Sequence, residues 1–242
     1  MSRSLCTLPI LLAVLADPAA ARQAPARPDA EVRITPIVGY APAFRRSERR
    51  DLALDGTVVT GEFDAEFAGG GVAGAAVEVR WIDPFRVTAA GLVVSRGAGV
   101  ETALRNREQV TRPGQKFLLA RAGLALRLYE AVAAEQIYPM NAAVFAAPAY
   151  IVEIPDRDPV TGRRLNHVGS FGLSWGFEGE APAGDRVGIQ FGAEDWIILW
   201  NRDELERRAA AEFAGAGLEG TSTVSPSPSH MWVLRVGIAF RL

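Results

Sequence analysis

The chain has 242 residues, 49% of them hydrophobic, and sets 26 Lys and Arg against 28 Asp and Glu for a formal charge of −2. That length suits one domain once a targeting segment is set aside, and so even a balance argues against a general nucleic-acid binder. Cys6 is the single cysteine and stands at the start of the first apolar run rather than after it, so the mature chain is expected to have no disulfide, no thiol chemistry and no lipoprotein anchor.

In chain order, Arg3 opens a short basic region, residues 5–15 are apolar, and Ala19-Ala20-Ala21 offers small residues for cleavage before Arg22. This reads as a signal peptide over 1–21, because about 11 apolar residues fall short of the roughly 20 that span a bilayer. Residues 22–30, rich in Ala, Pro and Arg, read as a disordered lead-in. Residues 31–242 then form one domain in which segments of alternating polarity recur to the last residue.

Alternation marks a strand whose two faces meet different surroundings. Val32, Ile34, Pro36, Val38 and Tyr40 alternate with Arg33, Thr35 and Gly39. Val77, Val79 and Trp81 follow, with Glu78 and Arg80 opposite; then Phe85, Val87 and Ala89, with Arg86 opposite. Ala120 to Leu128 sets Leu124, Leu126 and Leu128 against Arg121, Gly123 and Arg127. Val144, Ala146, Tyr150 and Val152 form the fifth segment, with Pro148 inside it. Phe171, Leu173, Trp175 and Phe177 alternate with small residues, and Val187, Ile189 and Phe191 with Arg186, Gly188 and Gln190. The last is the clearest: Trp232, Leu234, Val236, Ile238, Phe240 and Leu242 on one face, Arg235, Gly237, Ala239 and Arg241 on the other.

These segments predict an all-β fold, an eight-stranded antiparallel up-and-down transmembrane barrel with its apolar face toward lipid and a narrow polar lumen. The connections agree. Asp83-Pro84 and residues 180–184 are short turns, whereas residues 43–74, 97–115 and 202–230 are long, as expected of periplasmic turns and extracellular loops. Residues 130–139 depart from that rule, with room for a small helix, and residues 203–214 have helix-forming composition. Two aromatic girdles are expected, with Tyr40, Phe117, Tyr150, Trp196, Trp200 and Trp232 at the outer interface and Trp81, Phe85, Tyr129, Trp175, Phe177 and Phe240 at the inner one. Strict alternation past Gly192 would turn Asp195 to lipid, so a bulge at residues 192–194 is expected to return Trp196, Ile198 and Trp200 to the outer face.

Ile34-Thr35-Pro36 with Gly39-Tyr40, the hairpin through Asp83-Pro84 and Phe85, the pair Gly169 to Trp175 and Arg186 to Trp200, and the terminal run Leu234 to Leu242 together resemble small outer-membrane barrels of the OmpA, OmpX and OmpW type. The resemblance implies the barrel fold, outer-membrane residence, surrounding lipid including lipopolysaccharide, and assembly by the barrel-insertion machinery. Its members differ widely in function.

The inward-facing charges are Arg33, Glu78, Arg80, Arg86, Arg121, Arg127, Arg186, Glu194, Arg235 and Arg241. In a lumen just wide enough for side chains these must pair, which predicts a salt-bridged plug; their arginine excess leaves an anion-favouring pore as the alternative. Arg45, Arg46, Arg49 and Arg50 lie beyond the first strand, where guanidinium forks could meet headgroup phosphate. A solvated loop balanced by Glu48 and Asp51 is the plainer reading. His167 with Ser170, and His230 with Ser229, are near pairs at the outer rim, but neighbours along a strand face opposite sides, and no catalysis is inferred. No cofactor or metal is expected, and the chain is expected to be a monomer. The function expected is structural or one of surface interaction. A small-solute channel and a soluble lipocalin-like ligand-binding barrel are the alternatives.

Overall fold

A computed structural model of the chain describes residues 32–54, 57–82, 84–105, 107–131, 140–157, 162, 165–184, 186–215 and 221–242. The expected signal peptide and lead-in lie outside the described residues, as do residues 132–139 of the 130–139 stretch given room for a small helix; residues 130–131 are strand instead.

In chain order the strands are β1 (Val32–Ala41), β2 (Phe44–Leu54), β3 (Thr57–Phe67), β4 (Gly70–Ile82), β5 (Phe85–Arg96), β6 (Gly99–Ala103), β7 (Gln109–Arg112), β8 (Gln115–Ala131), β9 (Met140–Pro155), β10 (Val168–Pro182), β11 (Val187–Leu199), β12 (Thr221–Pro226) and β13 (Ser229–Arg241). One helix is described, α1 (Arg202–Gly215), between β11 and β12. Eight strands close into a barrel in the order β1-β13-β11-β10-β9-β8-β5-β4, with every neighbouring pair antiparallel. Each contains one of the eight segments predicted from alternation. Along β5 exposure and burial alternate without a break from Phe85 to Arg96. The outside of the barrel is an apolar belt, with Val38, Leu124, Phe171, Phe177, Phe191, Leu234 and Ile238 all exposed, the surface that lipid covers on a membrane barrel.

The narrow cylinder demands close strand approach, and inward glycines permit it. A Cβ on Gly74 would lie 2.1 Å from the Gly91 carbonyl oxygen, and one on Gly172 2.1 Å from that of Ile197, distances that backbone cannot relax. Pro148 sits in β9 without a bulge. Its ladder to β8 lapses between Arg121↔Ala149 and Leu124↔Ala146 and resumes in the same register, which absorbs the missing donor.

The expected bulge in β11 is absent. Its register with β10 and with β13 is constant from end to end, so Trp196 and Ile198 face the lumen and Asp195 faces outward. Trp196 is therefore buried rather than part of an outer girdle, and Trp200 and Phe117, expected there too, are buried as well.

The long connections carry structure of their own. β2, β3, β6, β7 and β12 form a second sheet in the order β12-β2-β3-β6-β7, standing beyond the outer end of the barrel. α1 starts where Asn201 caps it, its side chain accepting the Glu204 N–H at 3.3 Å, with Asp203 and Glu204 in the first turn favoured by the helix dipole.

Candidate functional site

The interior is built in three layers, each set by which residues the strands turn inward. The layer nearest the turn end is charged. Arg33 Nη1 meets Glu78 at 2.8 Å and Glu180 at 3.1 Å, and Arg241 also reaches Glu180. Arg235 joins Glu178 at 2.6 Å and Glu194 at 2.5 Å and donates to Gln190 at 3.1 Å. Arg121 reaches Glu194 at 3.3 Å and Thr88 at 3.2 Å, with its guanidinium 3.8 Å from the Phe145 ring centroid. A cavity of about 20 Å³ between Arg33, Arg86, Glu178 and Glu180 is large enough for a single water.

The structure brings Arg33, Glu78, Arg86, Arg121, Glu194 and Arg235 together as buried side chains, with Arg127 lining the cavity and Arg241 at the rim. Arg80 is exposed at the turn end. Arg186 lies outside the lumen, because β11 begins one residue later and leaves it exposed in the turn. Glu178, Glu180 and Gln190 were not among the expected charges or their partners. The alternation through Phe177, continued for three more residues, places both glutamates inward. With Arg80 and Arg186 outside, the arginine excess shrinks to Arg33, Arg86, Arg121, Arg127, Arg235 and Arg241 against Glu78, Glu178, Glu180 and Glu194.

The second layer is apolar, which alternation alone did not predict. Leu92, Val94, Phe117, Leu119, Ile151, Trp196, Ile198, Met231 and Val233 are all 2% exposed or less. Phe44 and Phe67 close over them, stacked on each other at 4.5 Å between centroids and each 5.6 Å from Phe117. Arg96 and Arg46 lie over this cluster, 4.8 Å from the Phe44 and Trp200 rings respectively.

The third layer, under the outer sheet and α1, is charged again. Arg46 meets Glu48 at 2.8 Å and Glu153 at 3.2 Å; Glu153 takes Arg208 of α1 at 2.7 Å. Arg50 pairs with Glu48 and with Glu101 at 3.1 Å, and Arg112 bridges Glu101 at 2.8 Å and Glu212 at 3.0 Å. Burial alone would push the Glu101 carboxyl up, but Arg50 and Arg112 outweigh it and hold the group below the ordinary range. The Arg46 guanidinium, desolvated but faced by Glu48, Glu153 and Glu101, is held above its own. The four arginines read as a solvated loop, with headgroup contact as the alternative, thus divide: Arg46 and Arg50 turn inward to this network, while Arg45 and Arg49 face out, 3.2 Å from Glu66 and 3.4 Å from Asp51.

Neither histidine meets its serine. Ser229 accepts from Trp200 Nε1 at 2.8 Å and Ser170 from the Asn201 N–H at 3.1 Å, both buried, whereas His230 and His167 are exposed and His230 bonds Asp195 at 2.7 Å.

No family model matches the sequence, and no curated protein matches it. Among solved structures it overlays on the outer membrane protein OprG from Pseudomonas aeruginosa with a TM-score of 0.58 at 13% identity, covering 88% of this chain and 96% of that one. Neisserial surface protein A (TM-score 0.41, 11% identity, 85% and 99% covered) and the outer membrane protease OmpT from Escherichia coli (0.42, 9%, 87% and 97%) overlay too loosely to carry an argument. The closed antiparallel cylinder, its apolar belt and the overlay on OprG agree: the chain has the fold of a small eight-stranded outer-membrane barrel.

Proposed function

We propose that the protein resides in the outer membrane as a closed, non-conducting barrel whose role is structural or one of surface interaction, holding a sheet-and-helix cap at the cell surface. The observation that carries this is the apolar layer across the lumen. Nine side chains, from Leu92 to Val233, are packed at 2% exposure or less between two charged networks. An ion crossing it would lose its hydration with no polar group in return.

The anion-favouring channel is disfavoured by the pairing of Arg33, Arg121, Arg235 and Arg241 with carboxylates. The lipocalin-like reading is disfavoured by the apolar exterior, which water would have to wet. Export by the 1–21 signal peptide, insertion by the barrel machinery, a lipid environment that includes lipopolysaccharide, and a monomeric state belong to the same proposal.

Planar-bilayer recording of the purified protein tests it. The expected record has no discrete steps; steps with reproducible anion selectivity would replace the structural reading with the channel. A band from the outer-membrane fraction that shifts on boiling in SDS is expected, and a soluble, unshifted band would overturn membrane residence.

A further inference from the structure

The helix α1 covers the outer mouth, and its described side chains hold it there largely through polar contacts. Among its described side chains Leu205, Arg208 and Ala209 are buried, so one large apolar group faces down. The other contacts of its described side chains are polar and run to β7, β9, β10 and β12. Glu204 accepts the N–H of Gly169 on β10, and Glu206 accepts that of Val224 on β12 at 3.0 Å. Arg208 donates to Glu153 of β9 at 2.7 Å and to the Asn166 carbonyl at 2.7 and 3.0 Å, while Glu212 takes Arg112 of β7 at 3.0 Å. Apart from the Asn166 carbonyl, each of these anchors depends on a carboxylate. The barrel is held differently, by backbone ladders in which α1 takes no part.

We propose that α1 is a lid over the outer mouth, latched through Glu153 to the barrel, which acid releases while the barrel stays closed. The inference rests on the barrel reading above. The charged groups that face each anchor fix the sign. Glu153 is faced by Arg46 from β2 and Arg208 from α1, with Glu48 behind Arg46. Glu212 is faced by Arg112, itself shared with Glu101, which also meets Arg50. Glu206 is faced by Arg202 at 2.8 Å, and Glu204 by Arg207 at 3.8 Å. The guanidinium of Arg202 and the Val224 N–H hold the Glu206 carboxyl below its usual range. A carboxyl held low contributes its stability at neutral pH and loses it as the pH falls through the folded value. Protonation of Glu153 would also leave Arg208 buried and short of its counter-charge, so the latch to the barrel fails. Release would uncover Leu205, Ala209 and Val224 together with the charged layer beneath them.

Hydrogen exchange on the whole protein in lipid vesicles at pH 7 and pH 4, corrected for intrinsic rates, tests this. The expected result is a loss of protection in α1 of at least about tenfold at pH 4, with β4, β5 and β10 unchanged. Glu153→Gln should release α1 already at pH 7. Should that variant fail to fold, Glu212→Gln, which lies on the helix itself, is the second variant. Protection of α1 that is equal at both pH values, or that is lost only together with the barrel strands, overturns the lid. A wild-type band that fails to shift on boiling at neutral pH would overturn the barrel reading instead, so the two failures are distinct.

Discussion

Asp195 on β11 turns its carboxylate to the outside of the barrel, where its Oδ2 lies 2.7 Å from Nδ1 of His230 on β13. Its register partners on either side are Trp175 and Trp232, whose rings meet edge to face at 5.9 Å. The tryptophans cover the carboxylate, which is 3% exposed although it belongs to the apolar belt. A carboxylate facing lipid is costly, and here cover and a hydrogen bond offset the cost.

Removing the histidine should expose that cost. His230→Ala is expected to destabilise the barrel by about 1–3 kcal/mol, the range for a buried polar group that loses its partner. The double variant with Asp195→Leu should recover most of the loss, since replacing both partners by apolar groups is often neutral. Urea unfolding in lipid vesicles measures both. If His230→Ala alone unfolds at the wild-type midpoint, the pair contributes nothing to stability.

This pair also marks where the sequence could be read and where it could not. Eight barrel strands were legible because one face of each meets lipid, so apolar residues repeat every second position, as from Trp232 to Phe240. The same parity puts Trp196 inside. A rule against carboxylates in lipid argued for a bulge instead, and the answer lay in His230, 35 positions away. Strands β2, β3, β6 and β7 were read as loops for a different reason. Charge stands on both sides of β2, whose inward face carries Arg46, Glu48 and Arg50, and Glu101 points inward from β6. The alternation of Phe63, Ala65 and Phe67 with Asp64 and Glu66 at the end of β3 went unread. The apolar layer was missed because alternation gives the face of a residue but not its height in the lumen. Leu92 and Arg86 share the inner face of β5, and neighbours on other strands decide that one sits among Phe117 and Ile151 and the other beside Glu78.

Arg235 is the hub of the inner network, with Glu178, Glu194 and Gln190 all within 3.1 Å. Arg235→Met should cost about 3–5 kcal/mol, because it removes a cation that pairs with buried Glu178 and leaves buried Glu194 to Arg121. Adding Glu178→Gln and Glu194→Gln should restore part of that, by removing the uncompensated charge. The boiling temperature needed to shift the band in SDS gives a quick ranking, and urea midpoints give the magnitude. A single variant as stable as wild type would mean that the remaining cations, Arg121 and Arg33, suffice.

Gly172 tests the geometry of the cylinder. Its missing Cβ would stand 2.1 Å from the Ile197 carbonyl oxygen and 3.0 Å from the Ile151 side chain. Gly172→Val should therefore prevent closure between β10 and β11, and the protein should migrate at the same position with and without boiling. Gly91→Ala is the control, since nothing lies within 4 Å of a Cβ there; it should keep the shift. Equal behaviour of the two variants would show that this inward glycine is not what lets the strands approach.

The outer sheet should be acid-sensitive in its own right. Glu101 is buried between Arg50 and Arg112, and despite its desolvation its carboxyl is held below the ordinary range by those two cations. A folded value lower than the unfolded one means that the stabilisation is complete above the ordinary carboxylate range and is lost as the pH falls through the folded value. Hydrogen exchange in the β6–β7 hairpin should then quicken in acid, after correction for intrinsic rates. Glu101→Gln should weaken the hairpin at neutral pH by about 1–3 kcal/mol, as expected for a buried charged hydrogen-bond acceptor replaced by a neutral one, and should flatten the acid dependence. Were the variant's pH profile to run parallel to that of the wild type, the acid response would belong to Glu153 or Glu212 instead, and the hairpin would follow α1 rather than its own ion pairs.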